Sequence, residues 1–421
     1  MLRLLQRLVA TPWLMRLLGA LSGSLNPWNP EVRRDPYPSY RKLREQPGLS
    51  RLRLFGGYVA ARYGLVEHVL RTPAFSANRE GVPLMDTFRR AARDTPEFLG
   101  FLDQNLLMID GARHRRLRGL VSKAFTPRRV ETLRARVEAI VKELLDRAAA
   151  RDDVDVVRDL AQPLPAIVIA ELLGVPARDQ VQFRYLSDEL VQVLDPLSGR
   201  EGLDPPKRAT RALAAYFRPM LEERRRAPRD DLLSAMIGAE EAGETLAEDE
   251  LLALASLLLA AGHETTTNLI GNAVMLLLRH PAERRRLQND LALLPSAVEE
   301  CLRFEPPVQL TDRAVVEPTE LAGVRLQPGT IVVALLASAN RDPDRFPDPD
   351  HFDVSRTDNE HLSFGLGAHY CLGAALARLE AQVALGALLR RFPDFDGAPD
   401  PPGFKPSIVL RGPTALPVRL R

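Results

Sequence analysis

Along residues 113–292 the apolar side chains recur mostly at helical spacing. Pro127, Pro163, Pro176, Pro196 and Pro205-Pro206 interrupt that pattern where helices should end. Residues 50–59 (SRLRLFGGYV) alternate apolar and polar around Gly56-Gly57 and predict a β-hairpin. Strand signals return at 312–338, punctuated by Gly323 and Pro328-Gly329, and at 407–420, punctuated by Gly412-Pro413. No internal repeat and no linker divides the chain. The pattern predicts a mainly α fold with minor β (α+β), a single domain over 31–421 behind an N-terminal extension of residues 1–30.

The longest predicted helix is the most informative. Thr245 with Glu248 has the spacing of a capping box, and nothing stops the pattern until Pro281, a span of about 35 residues and roughly 52 Å. Its middle, residues 251–271 (LLALASLLLAAGHETTTNLIG), is apolar on nearly all faces through Ala261, so the helix should run through the core. Gly262, His263, Glu264, Thr265 and Thr266 then place a carboxylate and hydroxyls where burial costs free energy unless the groups have partners or a task. On these residues alone, a Gly-kinked helix with solvated or internally bonded polar groups accounts for them better than a reactive site does.

Composition narrows the function classes. The 421 residues are 45% hydrophobic and 27% charged, enough to bury a large core. Lys+Arg 57 against Asp+Glu 55 leaves a net charge of +2, so no global charge excess favours a nucleic-acid backbone. Two cysteines, Cys301 and Cys371, cannot build a disulfide framework and point to a reducing, cytoplasmic setting. Residues 1–22 are apolar and basic, but Arg3, Arg7 and Arg16 interrupt every apolar run well short of the ~20 residues that span a bilayer. The segment reads as an amphipathic helix, packed on the protein's own body or resting peripherally on a membrane surface.

The chemistry concentrates in Phe364-Gly365-Leu366-Gly367-Ala368-His369-Tyr370-Cys371-Leu372-Gly373, followed by an Ala/Leu-rich helix to about Arg391. Glycines let backbone take positive φ and approach a bulky, flat ligand closely. A helix N-terminus favours a thiolate and should lower the cysteine pKa. From this composition, Phe, three Gly, His and Cys at these spacings arise by chance roughly 3 × 10⁻⁷ times per chain, which excludes coincidence.

This segment resembles the haem-binding loop of the cytochrome P450 monooxygenases, matching F-G-x-G-x-H-x-C-x-G at every fixed position. Two further family signatures occur in the family's order. Ala261-Gly262-His263-Glu264-Thr265-Thr266 matches A-G-x-[DE]-T-T, and Glu300-Cys301-Leu302-Arg303 matches E-x-x-R. The resemblance runs from about Asp35 to the C-terminus and is nearest the soluble bacterial members. It implies the cytochrome P450 fold, with haem b (iron protoporphyrin IX) between the long central helix and the Cys-bearing loop and helix.

By that resemblance Cys371 is the proximal thiolate to the haem iron, with Phe364, Gly365, Gly373 and Ala261 against the cofactor. Glu264 and Thr265 would relay protons to dioxygen. His114, Arg118, Arg313 and His369 would hold the anionic haem propionates. Glu300 and Arg303 would form a buried structural ion pair, with Arg356 as third member. Cys301 is a small buried hydrophobe without chemistry.

Only 50 residues follow Cys371 and no flavin or iron–sulfur motif is present, so electrons must come from outside. A ferredoxin with an NAD(P)H-dependent ferredoxin reductase is implied, and Arg113, Arg115, Arg116, Arg118 and Lys123 are candidates for docking its acidic face. The substrate expected is a hydrophobic small organic molecule, met by residues near 76–100, 173–205, Ala260, Ala261, Val308 to Leu310 and Ile408-Val409. A monomer is expected. The competing readings are a peroxide-driven haem-thiolate peroxygenase, whose relatives tend to lose the acid–alcohol pair that is intact here, and a non-catalytic haem-binding module, for which a damaged Cys or relay motif would be expected.

Overall fold

The structure, a computed structural model, describes residues 29–420 apart from 53–55, 123–124, 152, 195–201, 242–243 and 398–401. The expected N-terminal amphipathic segment and Lys123 lie outside the described residues. Helices dominate, and they are organised around the helix Glu248–Arg279, 32 residues and about 48 Å long. Its apolar run is buried on almost every side, as the unbroken hydrophobic stretch demands. Helices Pro96–Gln104, Pro163–Leu172, Gln180–Leu190, Asp204–Arg226 and Ala374–Arg391 pack against it and share one hydrophobic cluster.

The start of this central helix differs from the expectation. Thr245 lies in a short hairpin, Glu240–Glu241 with Glu244–Thr245, so it cannot cap the helix. The N-cap is Ala247, whose N–H donates to the Glu250 carboxylate at 2.9 Å, so the acidic half of a capping box forms two residues later than the spacing suggested.

The sheet is small and lies to one side. Its order is Ser50–Leu52, Gly57–Ala60, Ile331–Ala334, Thr311–Val315 and Phe75–Ser76. The expected 50–59 hairpin is present, with Ser50 opposite Val59 and Leu52 opposite Gly57. Gly57–Ala60 pairs in parallel with Ile331–Ala334, and the other neighbours are antiparallel. Within 312–338 a second hairpin, Thr319–Leu321 with Val324–Leu326, turns through Ala322 and Gly323, both at positive φ. The C-terminal strand Pro417–Leu420 joins Phe395–Asp396 and Val154–Asp155 in a separate small sheet.

Of the prolines read as helix ends, Pro127 and Pro163 open helices, Pro205-Pro206 occupy the first turn of Asp204–Arg226, and Pro176 precedes a 3₁₀ turn. Pro196 lies outside the described residues. Among the described residues no helix is long and apolar enough to cross a membrane.

Candidate active site

Cys371 sits three residues before the start of the helix Ala374–Arg391, at the end of a loop whose shape the glycines set. Gly365 and Gly367 adopt φ +67° and +69°, and a Cβ on Gly367 would also lie 3.0 Å from the Leu70 carbonyl oxygen. The loop closes on itself, the Cys371 N–H donating to the Phe364 carbonyl at 2.8 Å. The thiol pKa differs from the sequence expectation. Burial raises it, and the Gly373 N–H and the charges of Arg118 and Arg378 only partly oppose that rise. Helix-terminus donors act in the predicted direction but lose to desolvation, so a bound metal cation is what would hold this sulfur as thiolate.

Across the core, the central helix is buried almost continuously, yet Ala261 is exposed and Gly262 and Thr265 are half-buried in its middle. Protein atoms therefore leave a face of the helix uncovered at these residues. Thr265 Oγ1 donates to the Ala261 carbonyl at 2.7 Å, leaving the hydroxyl's lone pairs available. Glu264, one residue earlier, points to another side and is 6% exposed.

The cationic residues form a second group. His114 and Arg118 lie one turn apart on the helix Gly111–Ser122. His114 Nε2 is buried without a hydrogen-bond partner, and its pKa is pushed down to about 4 by burial and then by the charges of His369 and Arg118. The His114 and His369 rings stack with centroids 4.2 Å apart. Arg313, on the strand Thr311–Val315 and 6% exposed, donates to Thr311 Oγ1 at 3.1 Å and to the Asp312 carbonyl at 2.8 Å, with no carboxylate among its described partners. Arg118 donates to the Tyr370 carbonyl, tying its helix to the cysteine loop. Among the described residues neither Arg118 nor Arg313 has a carboxylate partner, and with the orphaned imidazole nitrogen of His114 they are donors that suit a bound dianion. A sulfur on a glycine loop and a stripped face of an otherwise buried helix suit a flat group with a metal. The donor set therefore fits haem b, which supplies the oxygen-activating iron when bound.

His369 is engaged elsewhere than expected. Its Nε2 meets Asp110 Oδ1 at 2.7 Å, and Asp110 also accepts from Ser76 Oγ at 2.6 Å and the Ala77 N–H at 2.5 Å. Although burial pushes the Asp110 pKa up, these donors hold it far below the usual carboxylate range. Sequence reasoning missed Asp110, because 259 residues separate it from its partner and no local motif marks it.

The third group is structural. Glu300 and Arg303 are both fully buried and meet in a two-pronged bond, Nε to Oε2 at 2.7 Å and Nη2 to Oε1 at 2.8 Å. Arg356 approaches Glu300 Oε2 at 3.2 Å. The Asp353 N–H and Asn359 Nδ2 also donate to Glu300, while Arg303 reaches the carbonyls of Asn340, Pro349 and His351. Between the pair, Cys301 is buried and burial pushes its thiol pKa up, so it is inert. Of the expected docking cations, Arg116 is tied to the nearly buried Glu250 and to the Thr245 carbonyl, and among the described residues of that run Arg113 and Arg115 are the exposed members.

Residues 63–414 match the family Cytochrome P450. The chain is 42% identical over 392 residues to Cytochrome P450 107B1 of Saccharopolyspora erythraea, covering 91% of this chain and 95% of that one. It is 41% identical to the cytochrome P450 monooxygenase PikC of Streptomyces venezuelae, covering 92% and 91% respectively. Among solved structures, P450BioI in complex with acyl carrier protein bearing hexadec-9Z-enoic acid superposes with a TM-score of 0.86 at 35% identity, covering 93% of this chain and 99% of that one. On that family match and on relatives 41–42% identical over nearly its whole length, the chain belongs to the cytochrome P450 family, monooxygenases that bind haem b through a cysteine thiolate.

Proposed function

We propose that this P450 inserts one oxygen atom of dioxygen into a hydrophobic small molecule, using electrons from an external ferredoxin reduced by an NAD(P)H-dependent reductase in the cytoplasm. The residue assignments belong to the same reading. Cys371 ligates the haem iron, and Phe364, Gly365, Gly373 and Ala261 lie against the macrocycle. Arg118, Arg313 and His114 bind its propionates, with His369 held by Asp110 at the edge of that group. Glu264 and Thr265 carry protons inward. Bound haem supplies dioxygen activation, and the protein supplies the thiolate, the propionate cations and the protons.

The observation that favours a dioxygen-using monooxygenase over a peroxide-driven enzyme is the intact pair on the central helix, a buried Glu264 carboxylate beside a Thr265 hydroxyl on the uncovered face. A long-chain acyl group is the first substrate to test, because one similar structure holds hexadec-9Z-enoic acid on a carrier protein. Two experiments test the reading. In the carbon monoxide difference spectrum of the reduced protein, the family's thiolate-type Soret band should be present in wild type and absent in Cys371→Ser. Product formation should require NAD(P)H, reductase and ferredoxin; turnover with hydrogen peroxide alone would replace this reading with the peroxygenase one.

A further inference from the structure

Besides Asn268 on its own helix, Glu264 is met from two sides by residues that belong to neither that helix nor the haem loop. Its Oε1 accepts from Lys405 Nζ at 2.5 Å and from Asn268 Nδ2 at 3.4 Å. Lys405 arrives 141 residues later in the chain, on a C-terminal segment clipped by its own N–H to the Gly412 carbonyl at 3.2 Å. From the other side the helix Gln180–Leu190 brings Asp188. Carboxylate oxygens of Asp188 and Glu264 and a ring nitrogen of His263 lie within 4.8 Å of one another. One bridging water spans such a distance. The Asp188 side chain is 42% exposed while that of Glu264 is 7% exposed, so the two acids step from solvent into the core.

Partial burial and the neighbouring Glu264 charge suit Asp188 to carry protons. Its pKa is pushed up to about 6, first by burial and then by the negative charge of Glu264, against Lys405 and Arg184. It therefore takes up and releases protons close to neutral pH. His263 adds no charge, since burial and the cations Lys405 and Arg184 push its pKa down to about 3. Arg208, on the next helix, is engaged by Glu189. A metal ion held by Asp188, His263 and Glu264 is disfavoured, because the Lys405 ammonium already stands where such a cation would bind Glu264.

We propose that Asp188 is the solvent-side proton donor to Glu264, and that Lys405 is a positioning residue that fixes where the Glu264 carboxylate sits. The inference rests on the assignment of Glu264 and Thr265 as the inward relay. The step is a proton transfer through one water: the Asp188 carboxylic acid becomes carboxylate, the Glu264 carboxylate becomes carboxylic acid, and Asp188 is reprotonated from bulk. No electrons move. Monooxygenation consumes two protons per turnover, each of which can follow this route. The Lys405 ammonium holds Glu264 Oε1 at one place beside this route.

The test has a readout independent of turnover. Infrared difference titration of the resting holoprotein should show a protonated carboxyl band titrating near pH 6 that is lost in Asp188→Asn. In Lys405→Met the titration should move to higher pH, in Glu264→Gln to lower pH, and Lys405→Arg should restore the wild-type position. With a surrogate ferredoxin, its reductase and hexadec-9Z-enoic acid as probe, Asp188→Asn should slow NAD(P)H oxidation about tenfold or more, at the lower end of proton-transfer effects, and raise the solvent isotope effect. No titrating band, or Lys405→Met changing only thermal stability, overturns the cluster. Wild-type rate and isotope effect in Asp188→Asn, with Glu264→Gln slow, overturns the Asp188 route while leaving the Glu264–Thr265 reading intact. Wild-type behaviour in Glu264→Gln removes that reading and this inference together.

Discussion

Glu300 shows how much a single buried group can control. It gathers Arg303, Arg356, the Asp353 N–H and Asn359 around one carboxylate with no exposure. A buried ion pair adds little net stability over a well-packed apolar pair, yet removing one partner leaves the other charge stranded in low dielectric. Glu300→Ala is therefore expected to cost about 3–5 kcal/mol and to yield little haem-loaded protein. The check is the haem-to-protein absorbance ratio of the purified variant together with its thermal midpoint. Normal haem content would refute a structural role. The pair was legible in the sequence because residues three apart on a helix share a face, and Arg356 was reachable only through the family resemblance. The partners Asp110 and Lys405 were not, since 259 and 141 residues separate them from His369 and Glu264 and only the tertiary fold brings each pair together.

The C-terminal segment 404–413 and the central helix fit against each other through glycines. A Cβ on Gly412 would lie 2.2 Å from Asn268 Oδ1 and 2.8 Å from Asn268 Cβ, and one on Gly271 would lie 3.0 Å from Pro413 Cγ. The Gly412-Pro413 punctuation read in the sequence as a strand break thus has a second use, close approach to the helix turn carrying Asn268. Gly412→Ala must displace a fully packed side chain at its root, an overpacking change costing about 1–3 kcal/mol. Because that segment carries Lys405, the variant should also disturb Glu264, seen as a lowered thermal midpoint together with more peroxide released per NAD(P)H oxidised. A lower midpoint with unchanged peroxide release would mean that the segment anchors the fold without touching the relay. Helical periodicity made the central helix legible over most of its length. Its start was not, because Thr245 is drawn into a two-stranded hairpin, a tertiary choice that overrides a local capping signal.

Electron entry is a property of the whole surface. A chain with a net charge of only +2 can steer an acidic partner only through a local concentration of cations, and the helix Gly111–Ser122 supplies one beside the cysteine loop. The structure redistributes the roles within that run. Arg118 is turned to the Tyr370 carbonyl and Arg116 to Glu250, so reversing either charge would break an internal bond as well as alter the surface. Arg113 and Arg115 are exposed, with Arg113 donating only to the Gln104 side chain among its described partners. Arg113→Glu with Arg115→Glu is thus expected to leave the fold and the carbon monoxide spectrum unchanged while slowing ferredoxin-dependent reduction about tenfold at low salt, the lower end of electrostatic steering effects. Screening sets the sign of the salt response. In wild type the reduction rate should fall as ionic strength rises, because attraction is weakened, whereas in the double variant it should fall less or rise, because repulsion is weakened. Stopped-flow reduction under carbon monoxide across a salt series reads both effects. Equal rates and equal salt slopes in the two proteins would place the docking face elsewhere on the molecule.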